Sequence, residues 1–143
     1  MKFIKDGKSY ELPDAFYRIS IKLIIKDDQD RLLVLQDSDT GWELPGGGLD
    51  HGETIQQTAA REVQEELAVE LKDFNEEIVA IEPGLHPDKY RTLKIYYQAE
   101  LSSFDFTLEE GFEYAFVDRQ QFINLDMPGD ESPIKQHIDR IWQ

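Results

Sequence analysis

The sequence contains no cysteine. Disulfide bridges and zinc–thiolate sites are therefore excluded, and the composition fits a reducing cytoplasm. Cations are scarce: 15 Lys and Arg stand against 30 Asp and Glu, for a net charge of −15. That deficit argues against a protein that grips nucleic acid electrostatically. It also means that an anionic substrate must be met by metal ions or by a local basic patch. No apolar run approaches the length of a membrane span. The first residues, MKFIKDGKSYEL, lack the apolar core of a signal peptide. Internal repeats and low-complexity linkers are missing too, so residues 1–143 read as one domain with a core of ordinary size.

What is present reads as strands around one helix. Residues 1–14, ending at Pro13, suit an edge strand or a loose arm. Phe16–Lys26 is rich in β-branched and aromatic residues and predicts a strand. A polar turn at Asp27–Asp30 and a second strand over Arg31–Gln36 follow, which predicts a hairpin. Asp37–Gly41 reads as a loop and Trp42–Leu44 as a short strand. Further on, Val69–Phe74 fits strand or coil, Glu77–Glu82 a strand, Pro83–Asp88 a loop, Arg91–Leu101 a long strand and Phe112–Val117 a last one. Asp118 can cap a short helix through Leu125. Ser132, with Pro133 behind it, can start a final helix that buries Ile134, Ile138 and Ile141. Strands before, between and after helices imply an α/β sheet covered on both sides.

The most informative stretch is WELPGGGLDHGETIQQTAAREVQEELAV, Trp42–Val69. Gly46, Gly47 and Gly48 form a loop free to turn carbonyls toward a cation or amides toward an anion. Thr54 with Gln57 makes a capping box, so a helix begins there. Ile55, Ala59, Val63 and Leu67 give it an apolar stripe, with Ala60 alongside. The opposite side carries Arg61, Glu62, Glu65 and Glu66, and the spacing lets all three carboxylates converge on one patch. As helix design this is poor: each like-charge pair costs roughly 0.2–0.5 kcal/mol, and acid in the last turn opposes the dipole. A solvated acidic face is the plain reading. A divalent cation would turn the repulsion into attraction, and clustered carboxylates with a backbone carbonyl suit Mg²⁺.

From Gly47 to Val69 the chain resembles the Nudix box, G-x5-E-x7-R-E-U-x-E-E-x-G-U. Gly47, Glu53, Arg61, Glu62, Val63, Glu65, Glu66 and Val69 stand in their places, and Ala68 replaces the usual glycine. That position follows the helix end, where a left-handed residue is often needed, so alanine there implies strain or a different helix end. The resemblance implies an α/β/α sandwich around a mixed sheet. It also implies hydrolysis of a nucleoside diphosphate linked to a group X, with Mg²⁺, or alternatively Mn²⁺, as the cofactor. It assigns Glu62, Glu65, Glu66 and the carbonyl of Gly46 to the metal. Glu53 is assigned to the loop–helix joint, as a second metal ligand or as a partner of Arg61, and Arg61 to an orienting role. The general base is left open between Glu66 in the box and Glu113 later in the chain, with Glu110 behind it.

Substrate choice must lie outside the box. Arg18 and Lys22 share one face of the first long strand. His86, Lys89, Tyr90 and Arg91 surround a Pro-bounded loop, where an aromatic among cations suits a base and its phosphates. Trp42 fits a stacking role or the core equally, His51 is a solvated loop residue, and His137 a surface residue of the last helix. The favoured substrates are nucleoside triphosphates or modified nucleotides. Nucleotide sugars, ADP-ribose and dinucleoside polyphosphates stay open, as does a non-catalytic nucleotide-sensing module. The acidic run Asp27–Asp30 lacks the glycine and glutamate of an EF-hand loop. The expected partner is a small nucleotide, with no nucleic acid and no membrane. A homodimer and a monomer both stay open.

Overall fold

Side chains that alternate across a strand divide this fold into two cores. Along the first long strand and the residue after it, Ile21, Leu23 and Ile25 belong to one buried cluster and Ile24 to another. On the next, Leu33 and Leu35 go to the first cluster, Leu32 and Val34 to the second. The computed structural model describes residues 2–11, 16–37 and 40–143. The strands are β1 (Lys2–Lys5), β2 (Lys8–Glu11), β3 (Tyr17–Ile24), β4 (Leu32–Asp37), β5 (Gly41–Glu43), β6 (Gly46–Gly48), β7 (Leu71–Leu85), β8 (Arg91–Leu101) and β9 (Phe112–Val117). Helix α1 spans Ile55–Leu67, α2 spans Arg119–Ile123, and a 3-10 turn over Ser132–His137 leads into α3, Ile138–Ile141.

Among the described residues the strands make a β1–β2 hairpin, a four-stranded sheet ordered β6-β3-β8-β7 and a three-stranded sheet ordered β5-β4-β9. β3 and β8 are parallel, whereas β6 runs antiparallel to β3 and β7 antiparallel to β8, so the four-stranded sheet is mixed. Ala59, Val63 and Leu67 of α1 enter the first core, and Phe122, Ile134 and Ile141 of the later helices enter the second. Helices thus cover both faces, as the α/β/α expectation requires.

Several elements differ from the sequence reading. The expected β3–β4 hairpin exists only at its root, where Lys26 bridges Leu32 and the Leu33 N–H reaches the Ile25 carbonyl at 2.8 Å. Beyond it β4 turns away to pair with β9, because its two apolar faces find partners there. Of the segment Val69–Phe74 the residues from Leu71 on, together with Glu77–Glu82, belong to one strand, β7, which bends through register shifts and continues to Leu85, into the expected loop. The first residues form a hairpin of their own. Pro13, and Ser38 and Asp39 in the expected loop before Trp42, lie outside the described residues. The last helix starts as a 3-10 turn after Glu131, without the expected Ser132 cap.

Candidate active site

The glycine stretch is a strand rather than a free loop. Gly46, Gly47 and Gly48 pair with Lys22, Ile21 and Ser20 of β3. Gly46 has φ +130°, and a Cβ there would run into the Ile21 carbonyl; only glycine fits such a position. A Cβ on Gly47 would meet the Glu62 carboxylate. The sheet thus requires glycine at Gly46, whereas at Gly47 a side chain would displace the Glu62 carboxylate.

Helix α1 begins as its sequence predicts. Gln57 N–H bonds the Thr54 hydroxyl at 3.1 Å, and the Gln57 side chain accepts from the Thr54 N–H at 2.9 Å. Its end is the strained alternative: Ala68 sits at φ 57°, ψ 37°, left-handed, with its N–H on the Gln64 carbonyl at 3.1 Å.

The box carboxylates are not equivalent. Glu66 accepts a 2.7 Å hydrogen bond from the Gly46 N–H. Burial pushes its carboxyl up to about 8, against the opposing pull of Lys22 and that N–H. Burial also raises Glu62, while Arg61 works in the other direction. Glu65 is exposed and lies 3.2 Å from Arg61. Arg61 is the hub: Nε and Nη2 donate to Glu53 at 2.8 and 2.9 Å, Nη1 to Glu62 at 2.9 Å, and Nη2 also to the Gly48 carbonyl at 2.9 Å. Hydrogen bonding from Arg61 holds Glu53 down to about 2. Among the described residues no three acids or histidines stand close enough together to cage an ion as they are. Their chemistry nonetheless fits a hard divalent cation: the donors are all oxygen, and Glu62 and Glu66 are desolvated carboxylates that added positive charge would favour.

Beside Glu65 and Glu66 opens a cavity of about 200 Å³, lined also by Leu35, Leu108, Glu109, Phe112 and Glu113. Glu113 therefore lines the same cavity as Glu66. The loop that supplies Glu109 is anchored by aromatic packing: Phe104 and Phe106 lie 5.3 and 6.3 Å from Phe116, and Phe106 lies 4.9 Å from Tyr114. Glu110 is not among the residues that line this cavity.

The expected substrate cations have different surroundings. Lys22 is 3 % exposed and already engaged, 3.6 Å from Glu43 and 3.8 Å from Glu131. Burial disfavours its charge, but Glu131, Glu43 and Glu66 outweigh that and raise it. Next to it Lys94 bonds the Asp130 carbonyl at 2.9 Å and its carboxylate at 3.2 Å. Glu131 Oε2 and the Tyr96 hydroxyl lie buried there without a hydrogen bond among the described atoms. Arg18 donates to the Leu49 carbonyl at 2.7 Å and to Asp50 at 3.1 Å. Lys89, Tyr90 and Arg91 are exposed, and Tyr90 stacks on His86 at 4.4 Å. β3 pairs with β8 from Tyr17 opposite Arg91 and Arg18 opposite Thr92, which brings the loop and β3 candidates into one neighbourhood. Trp42 packs on the second core, His51 is exposed, and half-buried His137 meets Glu82 at 2.5 Å rather than standing free. Sequence reasoning missed Glu43, Asp50, Lys94, Asp130 and Glu131. Lys94 alone carried a signal, two residues from Tyr96 on a strand whose alternation was legible.

Comparison with known proteins matches a NUDIX domain model over residues 16–138. A Xenopus laevis protein named nucleoside diphosphate-linked moiety X motif 6 is 30% identical over 111 residues, covering 74% of this chain and 50% of that protein. The nucleoside triphosphatase NudI of Enterobacter sp. (strain 638) is 32% identical over 123 residues, covering 73% of this chain and 84% of that one. The chain thus spans half the length of the first relative and most of the second. Among solved structures, the MutT protein from Methanosarcina mazei Go1 superposes with a TM-score of 0.71 at 21% identity, covering 91% of this chain and 96% of its own, a likeness of fold.

Proposed function

The chain belongs to the Nudix family of hydrolases, and on that premise we propose that it is a divalent-metal-dependent pyrophosphohydrolase. It cleaves a phosphoanhydride in a nucleoside diphosphate linked to X, and nucleoside triphosphates or modified nucleotides come first. The observation that carries the reading is the pair of desolvated carboxylates, Glu62 and Glu66, pressed against the Gly46–Gly48 strand. The relative named a nucleoside triphosphatase supports the substrate class.

In this reading Glu62, Glu65, Glu66 and the Gly46 carbonyl would hold Mg²⁺ or Mn²⁺. The bound ion would neutralise phosphate charge and acidify a water. Arg61 and Glu53 fix the loop to the helix so that those ligands keep their places. Glu66 or, across the cavity, Glu113 takes the proton of the attacking water. Tyr90 with Lys89 and Arg91 receives the nucleoside end. Lys22 balances buried acid rather than touching phosphate. The reading includes one domain over residues 1–143, a cytoplasmic location that suits a cysteine-free chain, and a homodimer as an option for sedimentation to decide.

The test is a phosphate-release screen over nucleoside triphosphates, oxidised nucleotides, nucleotide sugars, ADP-ribose and dinucleoside polyphosphates with Mg²⁺ or Mn²⁺. Glu65→Gln and Glu66→Gln serve as controls. Metal-dependent turnover lost in both variants supports the reading, and turnover that survives them refutes the assignment of the site. A second reading, a nucleotide sensor, draws on one observation: Glu62 and Glu65 are both engaged by Arg61 Nη1. Nucleotide binding without turnover across the screen would select it.

A further inference from the structure

Arg18 reaches the catalytic turn from outside the box. The β3–β6 ladder ends with Ser20 opposite Gly48, and one more bond follows, from the Leu49 N–H to the Ile19 carbonyl at 2.9 Å. There the chain leaves the sheet, and Arg18 continues the ladder with its side chain. Nη1 donates to the Leu49 carbonyl and Nη2 to Asp50 Oδ1, at 2.7 and 3.1 Å. Its guanidinium fills the space that a Cβ on Gly48 would need. Gly48 is not among the positive-φ glycines, so its backbone does not itself demand glycine.

On the other side of the same turn lies Arg61. Its Nη2 donates to the Gly48 carbonyl at 2.9 Å and stands 3.4 Å from Asp50 Oδ2. The two oxygens of Asp50 thus face one arginine each. Three successive acceptors, the Gly48 carbonyl, the Leu49 carbonyl and the Asp50 carboxylate, are held between two guanidinium groups. A planar five-donor fork suits that task, and an ammonium does not. Arg61 is also the residue that orders Glu53, Glu62 and Glu65.

We propose that Arg18 is a positioning residue for the hydrolytic site, acting through Asp50 on Arg61, and that Gly48 is glycine to make room for it. The proposal rests on the hydrolase reading above and replaces the expectation that Arg18 is a substrate ligand. Partners that orient ligands from outside are worth about 10–100-fold in metal affinity or activity. Without Arg18, the Leu49 carbonyl loses its donor and Asp50 competes alone for Arg61. The turn that carries Gly46–Gly48 into Glu53 is then free to shift, and a small displacement of ligands is expensive in rate.

The experiment uses the full chain with Arg18→Ala, Arg18→Lys, Gly48→Ala and the Arg18→Ala/Gly48→Ala pair. Four quantities are read: Mn²⁺ affinity by titration, kcat and KM on the substrate found in the screen, and amide exchange of Leu49–Gly52. Arg18→Ala should lower kcat or Mn²⁺ affinity by about tenfold or more, with KM held and exchange of the turn faster. Arg18→Lys should fall between. Gly48→Ala should copy Arg18→Ala in the wild-type background and add nothing to it in the double variant, because contacting residues do not add. A rise in KM at constant kcat would return Arg18 to substrate binding and overturn the proposal. Additive effects, or unchanged exchange and Mn²⁺ affinity, would overturn it as well. Should the screen show no turnover, the hydrolase reading fails by itself, and exchange with Mn²⁺ affinity still decides the role of Arg18.

Discussion

Glu53 and Arg61 are joined by two hydrogen bonds, Nε to Oε2 at 2.8 Å and Nη2 to Oε1 at 2.9 Å, across the joint between β6 and α1. The bidentate form matters, because a fork–fork pair fixes orientation as well as distance. Arg61→Lys keeps the charge and loses the fork. We expect it to lower kcat/KM by about 10–100-fold, with a thermal midpoint near that of the wild type. Steady-state kinetics beside a thermal melt check this, and full activity in Arg61→Lys would show that charge alone suffices.

Lys22 and Glu131 are buried together. Removing Lys22 leaves Glu131 with Lys94 alone and takes from Glu43 its buried cation, and breaking a buried pair costs up to about 3–5 kcal/mol. Lys22→Met should therefore unfold at a much lower urea concentration, and Lys22→Met/Glu131→Gln should recover a large part of the loss. Failure of the double variant to recover would mean that Glu43 and Lys94, not this pair, dominate the cluster.

Ala68 is expected to be a stability defect with no catalytic content. A non-glycine residue in the left-handed region costs roughly 1–2 kcal/mol, part of which glycine gives back through the unfolded chain. Ala68→Gly should raise stability by about 1 kcal/mol and leave kcat unchanged. Urea denaturation with the same assay tests both halves.

The turn at Asp27 gives a pH dependence. Burial favours its protonated form, but the Arg31 N–H at 2.9 Å, the Arg31 side chain at 2.8 Å and the Gln29 N–H at 3.0 Å outweigh it and hold the carboxyl below its usual value. A depressed carboxylate stabilises the fold above its unfolded value and loses that contribution as pH falls through the folded one. Asp27→Asn should thus be less stable than wild type at neutral pH, by about 1–2 kcal/mol, and the gap should close in acid. A gap that persists at pH about 2 would assign the effect to hydrogen bonding alone.

The box was legible because it is local: Gly47, Glu53, Arg61, Glu62, Glu65 and Glu66 are fixed relative to one another by one turn and one helix. The cap at Thr54 followed from the same locality, which left Ala68 open between strain and a different helix end. What the sequence hid depends on distant pairing. Lys22 reads as a cation on a strand face, yet Glu131 and Glu43 reach it from elsewhere in the chain and bury it. β4 looks like the return strand of β3, yet its better partner is β9. Arg18 reads as a substrate cation, because nothing in its own neighbourhood announces that Asp50 waits for it.

The parallel pairing of β3 with β8, Tyr17 opposite Arg91 and Ile24 opposite Gln98, also bears on how the chain comes together. β3, β6 and α1 are near neighbours in sequence, so the glycine strand and its acidic helix can assemble at small loop-closure cost. β8 arrives only after β7 has been made, and until then the inner edge of β3 is an open row of amides and carbonyls. Long-range parallel pairing of this kind is slow. During synthesis the site would be drafted first, and the strand that locks it into the sheet would close last.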